Sequence, residues 1–253
     1  MEKLTMKALT KTAVSACVIG LTAAGSQAYA SPANTLVVAA SGGDYTTISA
    51  ALADTTACPS SGCVIEVKPG TYNENVTMRN GVSLQGAGAD VTTISASGIV
   101  VLGAANSSIS GFTITGGDTG IRYYSSGGTL TIENNTITGN TYYGVSSSQS
   151  VSLIVRDNKI TNNNTAGVSC SQYGRPVITG NTIENNKYGI SLGYCSSAKI
   201  TRNSMSGNTT KDIHNAYSTP YVSYNIYDTI QNTWGYNPIG GYNIDNSGNA
   251  IAP

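Results

Sequence analysis

Charge is what this sequence has least of. Over 253 residues there are 13 Lys plus Arg and 13 Asp plus Glu, so charged residues make up 10% of the chain, against roughly 25% in an average globular protein. Net zero charge excludes a nucleic-acid binder that works through a basic footprint. The even balance also excludes a charge-driven disordered chain. Leucine is scarce, and the bulk of Ala, Glu, Lys, Leu and Arg that a long coiled coil needs is missing. There is one Phe, one Trp and one His, His214. With no His cluster and no paired-Cys spacing, no metal site of the zinc type is expected. What is abundant is Gly at 29, Tyr at 16 and Asn at 24, with Ser and Thr prominent beside them.

The first 30 residues read as a removable leader. Lys3, Lys7 and Lys11 precede an apolar stretch from Thr12 to Ala24, and Ala28-Tyr29-Ala30 supplies a small-x-small cleavage pattern. The stretch is too short for an ordinary membrane span. A competing reading takes Val14-Ser15-Ala16-Cys17 as a lipobox with Cys17 as a lipidated N-terminus. Cleavage after Ala30 removes Glu2 and three Lys, leaving ten basic and twelve acidic residues, a net charge of −2. No later run is long and apolar enough to span a bilayer. The expected address is secreted, periplasmic or cell-surface.

The cysteines suit an oxidising compartment. Cys58 and Cys63 bracket the turn-rich Pro59-Ser60-Ser61-Gly62 and are expected to close a small disulfide ring, the alternative being two free thiols in a surface loop. Cys170 and Cys195, about one repeat apart, are read as plain core cysteines, with their pairing left open.

The body of the chain repeats. Ile114, Ile137, Ile160, Ile183 and Met205 step by 23, 23, 23 and 22 residues. Ile109, Ile132, Val155, Ile178, Ile200 and Val222 form a second column, and Ile121, Val145, Val168, Ile190 and Ile213 a third. Two-helix repeats need over 30 residues, and leucine-rich repeats need leucine. What remains is an all-β fold: a single parallel β-helix of about three short strands per coil, with equivalent residues ~4.8 Å apart on successive coils. Two Asn columns, Asn135/158/181/203/225 and Asn140/163/186/208, are expected to form asparagine ladders at the corners. The corners are also where positive φ is needed, which Asn tolerates. Thr46 to Leu52 reads as a short capping helix over the open N-terminal end. The expected domains are a leader over 1–30 and one β-helix over 31–253. Its repeat core is about 107–227, its N-terminal cap about 34–64, and its C-terminal cap about 228–253, with Trp234.

Gly43-Asp44-Tyr45-Thr46-Thr47-Ile48, Val67-Lys68-Pro69-Gly70-Thr71-Tyr72-Asn73-Glu74 and Leu84-Gln85-Gly86-Ala87-Gly88 resemble the N-terminal segment of pectin methylesterases. The same segment opens many secreted right-handed β-helix proteins of the pectate-lyase-like superfamily. The resemblance implies that fold and that hand, in agreement with the rule for parallel crossovers. The esterase Gln-Asp, Asp-Phe-Ile-Phe-Gly and Gly-Arg-Pro-Trp segments are missing, with Gly174-Arg175-Pro176-Val177 echoing only the last. The pectate-lyase Trp-Ile-Asp-His and Arg-x-Pro-x-x-Arg segments are missing too. No catalytic residue carries over.

Two sets of outward residues remain as candidates. Glu133, Arg156, Asp157 and Lys159 cluster on adjacent coils, and lyases or epimerases of uronic-acid polymers need such types: a base, and a cation or calcium ion on the carboxylate. The plainer reading is a solvated ion pair of Glu133 with Arg156. Tyr142, Tyr143 and Tyr188 flank the third column and suit an extended sugar, or are strand formers at half-buried sites. Tyr173 and Tyr194 occupy similar places in successive coils. The favoured expectation is a monomeric, non-catalytic β-helix that binds polysaccharide or acts at the cell surface. The alternative is a small polysaccharide lyase or uronate epimerase. No cofactor is identified, with calcium the one open option. A periplasmic accessory role in metal-cofactor maturation, as some β-helix proteins have, is a third option that no His or Met cluster supports.

Overall fold

The structure is a computed structural model that describes residues 34–59, 62–124, 127–149, 152–195, 197–233 and 238–251. The expected leader with Cys17, and Trp234, lie outside the described residues. The chain winds as a parallel β-solenoid whose coils stack into three sheets of nine, eight and seven strands. Every pairing within those sheets is parallel; a two-stranded antiparallel pair, Asn243–Ile244 with Ala250–Ile251, follows at the C-terminal end.

One coil shows the pattern. Thr129–Glu133 lies in the first sheet, Thr136–Thr138 in the second and Tyr143–Ser147 in the third. The next coil repeats it with Ser152–Arg156, Lys159–Thr161 and Ala166–Ser171. The apolar columns are confirmed in register: Ile132 pairs with Val155, Ile137 with Ile160 and Val145 with Val168. All six side chains are fully buried. Alternation in the first-sheet and second-sheet strands sends these Ile and Val columns inward and mostly Ser, Thr or a charge outward, with Ile154 an outward exception.

Both Asn ladders form. Asn135, Asn158, Asn181 and Asn203 each donate their backbone N–H to the Oδ1 of the Asn one coil on, at 3.0 Å. The ladder runs through Asn225 and ends one rung beyond expectation, at Asn243. The second ladder links Asn140, Asn163, Asn186 and Asn208 in the same way, and Asp212 Oδ1 accepts the last free amide, that of Asn208, at 2.8 Å.

The expectation that ladder asparagines hold the positive φ is corrected. In both corners the residue before the ladder Asn turns left-handed: Asn134, Asp157, Gly180 and Arg202 in the first, Gly139, Asn162, Asn185 and Gly207 in the second. The left-handed residue bends the chain, and the Asn after it points inward to bond along the stack. A glycine column completes the second corner. A Cβ on Gly120, Gly144 or Gly167 would lie 2.7–2.8 Å from the carbonyl oxygen of the next coil, and 2.8 Å from an Ile methyl. The column is legible as Gly at steps of 24, 23 and 22 from Gly120 to Gly189.

The N-terminal end is closed by a helix, Ile48–Ala53, which buries Ile48, Ala51 and Leu52 over the first coils. Thr47 Oγ1 accepts from the N–H of Ala50 at its N-terminus. Glu74 accepts the N–H groups of Ile48 and Ser49, each at 2.8 Å. The Gly70-Thr71-Tyr72-Asn73-Glu74 turn thus holds the cap by its last residue. Cys58 and Cys63 are bridged as expected. Cys170 and Cys195 are bridged as well, which corrects their reading as plain core cysteines: both lie at the end of the third sheet in consecutive coils, with Cα atoms 6.1 Å apart, within bridging reach.

Candidate functional site

Outward residues fall into straight columns, and three of them could meet a ligand. On the first sheet, Ser110, Glu133, Arg156 and Thr179 are in register. The Arg156 guanidinium binds Glu133, with Nε 2.6 Å from Oε2. Both side chains reach solvent, so the pair contributes about 0–1 kcal/mol. Asp157 occupies the left-handed corner position next to it. Lys159 begins the second sheet, in register with Thr136 and Thr182, so it leaves the corner on a different sheet from Arg156. The four residues do not converge on one point.

The third sheet carries the tyrosines. Tyr143 and Tyr188 are in one column with Ala166 between them, so their rings stand two coils apart. Tyr142 precedes Tyr143 at a ring separation of 6.4 Å. Tyr188 meets the ring of His214 at 5.0 Å. Beside this column runs a line of hydroxyls, with Ser146, Ser169, Ser191 and His214 in register. Ser191 Oγ lies 3.4 Å from His214 Nδ1, and burial holds the His214 imidazole below its ordinary pKa, favouring the neutral ring. Ser148 and Ser171 add hydroxyls two residues along.

At the far edge of this face stand Tyr173, Tyr194 and Tyr217, all exposed and all at positive φ. Tyr194 and Tyr217 stack with centroids 4.4 Å apart and planes 5° off parallel. Burial, and then the neighbouring Tyr194, push the Tyr217 phenol up. The sequence places Tyr173 and Tyr194 in equivalent positions; Tyr217 was missed as the third member, although its step of 23 from Tyr194 is the repeat itself. The face therefore carries a line of hydroxyls, repeating at the strand spacing of ~4.8 Å, with tyrosines on both sides of it.

Groups able to hold a soft metal are few. Among the described residues no three of His, Cys, Asp or Glu lie together. All four described cysteines are in disulfides. Met78 and Met205 are buried in the core. His214 stands against Ser191 and Tyr188 with no second imidazole in the chain.

Comparison with known proteins agrees with the architecture. Residues 28–250 match the family described as periplasmic copper-binding protein (NosD). The structure is similar to an alginate lyase from Paenibacillus sp. str. FPU-7, at TM-score 0.55 and 13% identity, over 85% of this chain and 96% of that one. It is also similar to pectin methylesterase from carrot, at TM-score 0.50 and 19% identity, over 78% of this chain and 82% of that one. At such identities the likeness is one of fold. No curated protein sequence matches the chain. The donor set described above does not fit a copper ion, which favours imidazole, thiolate and thioether ligands.

Proposed function

The chain belongs to the NosD family of periplasmic proteins, and from that premise we propose that it is a non-catalytic β-helix that binds an extended polysaccharide along the outward face of the third sheet. The observation that carries this reading is the in-register line of Ser146, Ser169 and Ser191 between the column of Tyr143 and Tyr188 and the column of Tyr173, Tyr194 and Tyr217. Hydroxyls at a fixed repeat suit a polymer that presents its own hydroxyls at a repeat, and tyrosine offers a flat apolar face with a polar tip. The fold is one that the alginate lyase and the pectin methylesterase also have. A lyase or epimerase on the first sheet is less well supported. Its basic group would be Arg156, which is engaged by Glu133, and Lys159 lies around the corner.

The test is glycan-array and affinity-electrophoresis binding by the protein. Replacing Tyr143→Ala together with Tyr188→Ala should weaken binding at least about tenfold, in keeping with the loss of aromatic anchors. Arg156→Ala with Lys159→Ala should leave binding and melting temperature near the parent values. The opposite pattern would move the site to the first sheet, and the appearance of unsaturated products absorbing in the ultraviolet from polyuronate would make the protein a lyase.

A further inference from the structure

The last coils change character on the first and second sheets. Along the first sheet one outward column runs Val177, Lys199, Tyr221, Ile239. Along the second, the column that begins Thr136, Lys159, Thr182, Ser204 ends in Ile226 and Ile244. The corner between these sheets is held by Asn134, Asp157, Gly180 and Arg202, and then by Tyr224 and Tyr242. In the corner column and the second-sheet column the last coils thus bring Tyr and Ile, and beside them the first-sheet column, which holds Ile154 and Val177 earlier, ends in Tyr221 and Ile239.

These side chains do not fold back into the core. Ile239 is 63% exposed and Tyr242 81%. Tyr221, Tyr224, Ile226 and Ile244 are exposed too. A contiguous apolar surface of this kind on a soluble chain marks an interaction site. The backbone adds an independent sign. Tyr224 and Tyr242 sit at φ 58° and 60°, a region that bulky side chains avoid and that Asn134, Asp157, Gly180 and Arg202 take in earlier coils. Their rings stack at 5.0 Å and project outward. Strain kept where a small residue would serve points to a use for the side chain.

Three basic residues stand beside these columns. Arg175 opens the strand that contains Val177, Lys199 stands in the apolar column, and Arg202 holds the corner immediately before Tyr224. All three are exposed, and none forms an ion pair with a described residue. Of the carboxylates nearby, Asp157 stands in the same corner column two coils before Arg202, Asp245 follows Ile244 and accepts from Ser247 and Asn249, and Asp228 accepts two bonds from Asn246. Lys199 also lines an open cleft of about 480 Å³ with Tyr221 and Ile239.

Exposed isoleucine has no use on a sugar, and exposed lysine and arginine would repel a second copy of the same patch. Hydrocarbon and phosphate together satisfy both. We propose that this corner of the last coils docks on an anionic membrane surface, with Ile239, Ile244, Tyr224 and Tyr242 entering the interfacial layer and Arg175, Lys199 and Arg202 meeting lipid phosphates. Tyrosine favours that layer, and basic residues beside apolar ones add attraction to anionic lipid.

The experiment is co-sedimentation of the protein with vesicles of phosphatidylcholine alone and of phosphatidylcholine mixed with phosphatidylglycerol. The protein should sediment with the mixed vesicles, less at high salt, and little with phosphatidylcholine. Ile239→Asp with Tyr242→Asp should cut the bound fraction at least about tenfold, and Lys199→Glu with Arg202→Glu should do the same by charge. All four positions face outward, and circular dichroism melting identifies any variant that fails to fold; at least one folded pair suffices. Equal recovery with and without vesicles overturns the proposal, and so does parental binding by a folded variant. A dimer in light scattering that Ile239→Asp dissociates overturns it in favour of a second copy. Loss of glycan binding in these variants, with no vesicle binding by the parent, overturns it in favour of a sugar site.

Discussion

The backbone N–H of Asn135 donates to Oδ1 of Asn158, 3.0 Å away and 23 residues on. Asn158 in turn gives its amide to the carbonyls of Ile132 and Arg156 and accepts nothing from solvent, being 3% exposed. One side chain therefore ties two coils and satisfies two strand ends. Asn158→Ala leaves the Asn135 N–H without its acceptor and removes the amide bonds to those carbonyls. The expected loss is about 1–3 kcal/mol, read from urea or thermal denaturation. Full retention of stability would mean that the corner admits water.

Tyr227 predicts alkaline behaviour. Its side chain is fully buried, and burial first, then nearby Asp212, push its phenol from 10.0 up to about 12. Where the folded pKa is raised, the stabilisation is fully present below the unfolded value and lost as pH rises through the folded one. Stability should thus fall between about pH 10 and pH 12. Tyr227→Phe should remove this part of the fall, seen as a flatter melting temperature across that range.

The bridge between Cys170 and Cys195 should be found as a linked peptide pair in a non-reducing digest, beside the pair of Cys58 and Cys63. Cys170→Ser with Cys195→Ser opens a loop of 25 residues, and the expected cost is about 3 kcal/mol. Recovery of free thiols at these positions from unreduced protein would contradict it.

Copper should not be retained at one ion per chain. Protein dialysed after exposure to cupric or cuprous ion, then assayed for metal, should hold well under one equivalent, and His214→Ala should not change the value. One tightly held equivalent lost in His214→Ala would show that a single imidazole suffices here.

Much of the coil was legible because each buried column repeats its residue type: Ile132, Val155 and Ile178 need only hydrophobic shape, and Asn135, Asn158 and Asn181 need one specific amide. A repeat of 22 to 24 residues leaves little choice of fold. The corner geometry was read one residue off, since Asn satisfies both the ladder and the left-handed bend on paper. Only the backbone shows that Asp157 and Arg202 take the bend. The disulfide of Cys170 was missed because the two sulfurs are 25 residues apart and meet only when the third-sheet register is known. Glu133 with Arg156 was readable as a pair at one repeat, and Tyr143 with Tyr188 as a column. That Ala166 interrupts the column needed the alignment of three coils at once.

The bridge from Cys170 to Cys195 has a mechanical meaning. Coils in a solenoid touch only their neighbours, so under load or heat the stack can peel from its C-terminal end, one coil after another. Peeling that starts at Ile251 runs freely back to Tyr194 and then meets a covalent stop. The segment between the two cysteines can loosen without adding length to the chain. Its sulfurs make a ratchet tooth in a rod that otherwise unzips, and the coils N-terminal to Cys170 keep their register while the end beyond it opens and closes.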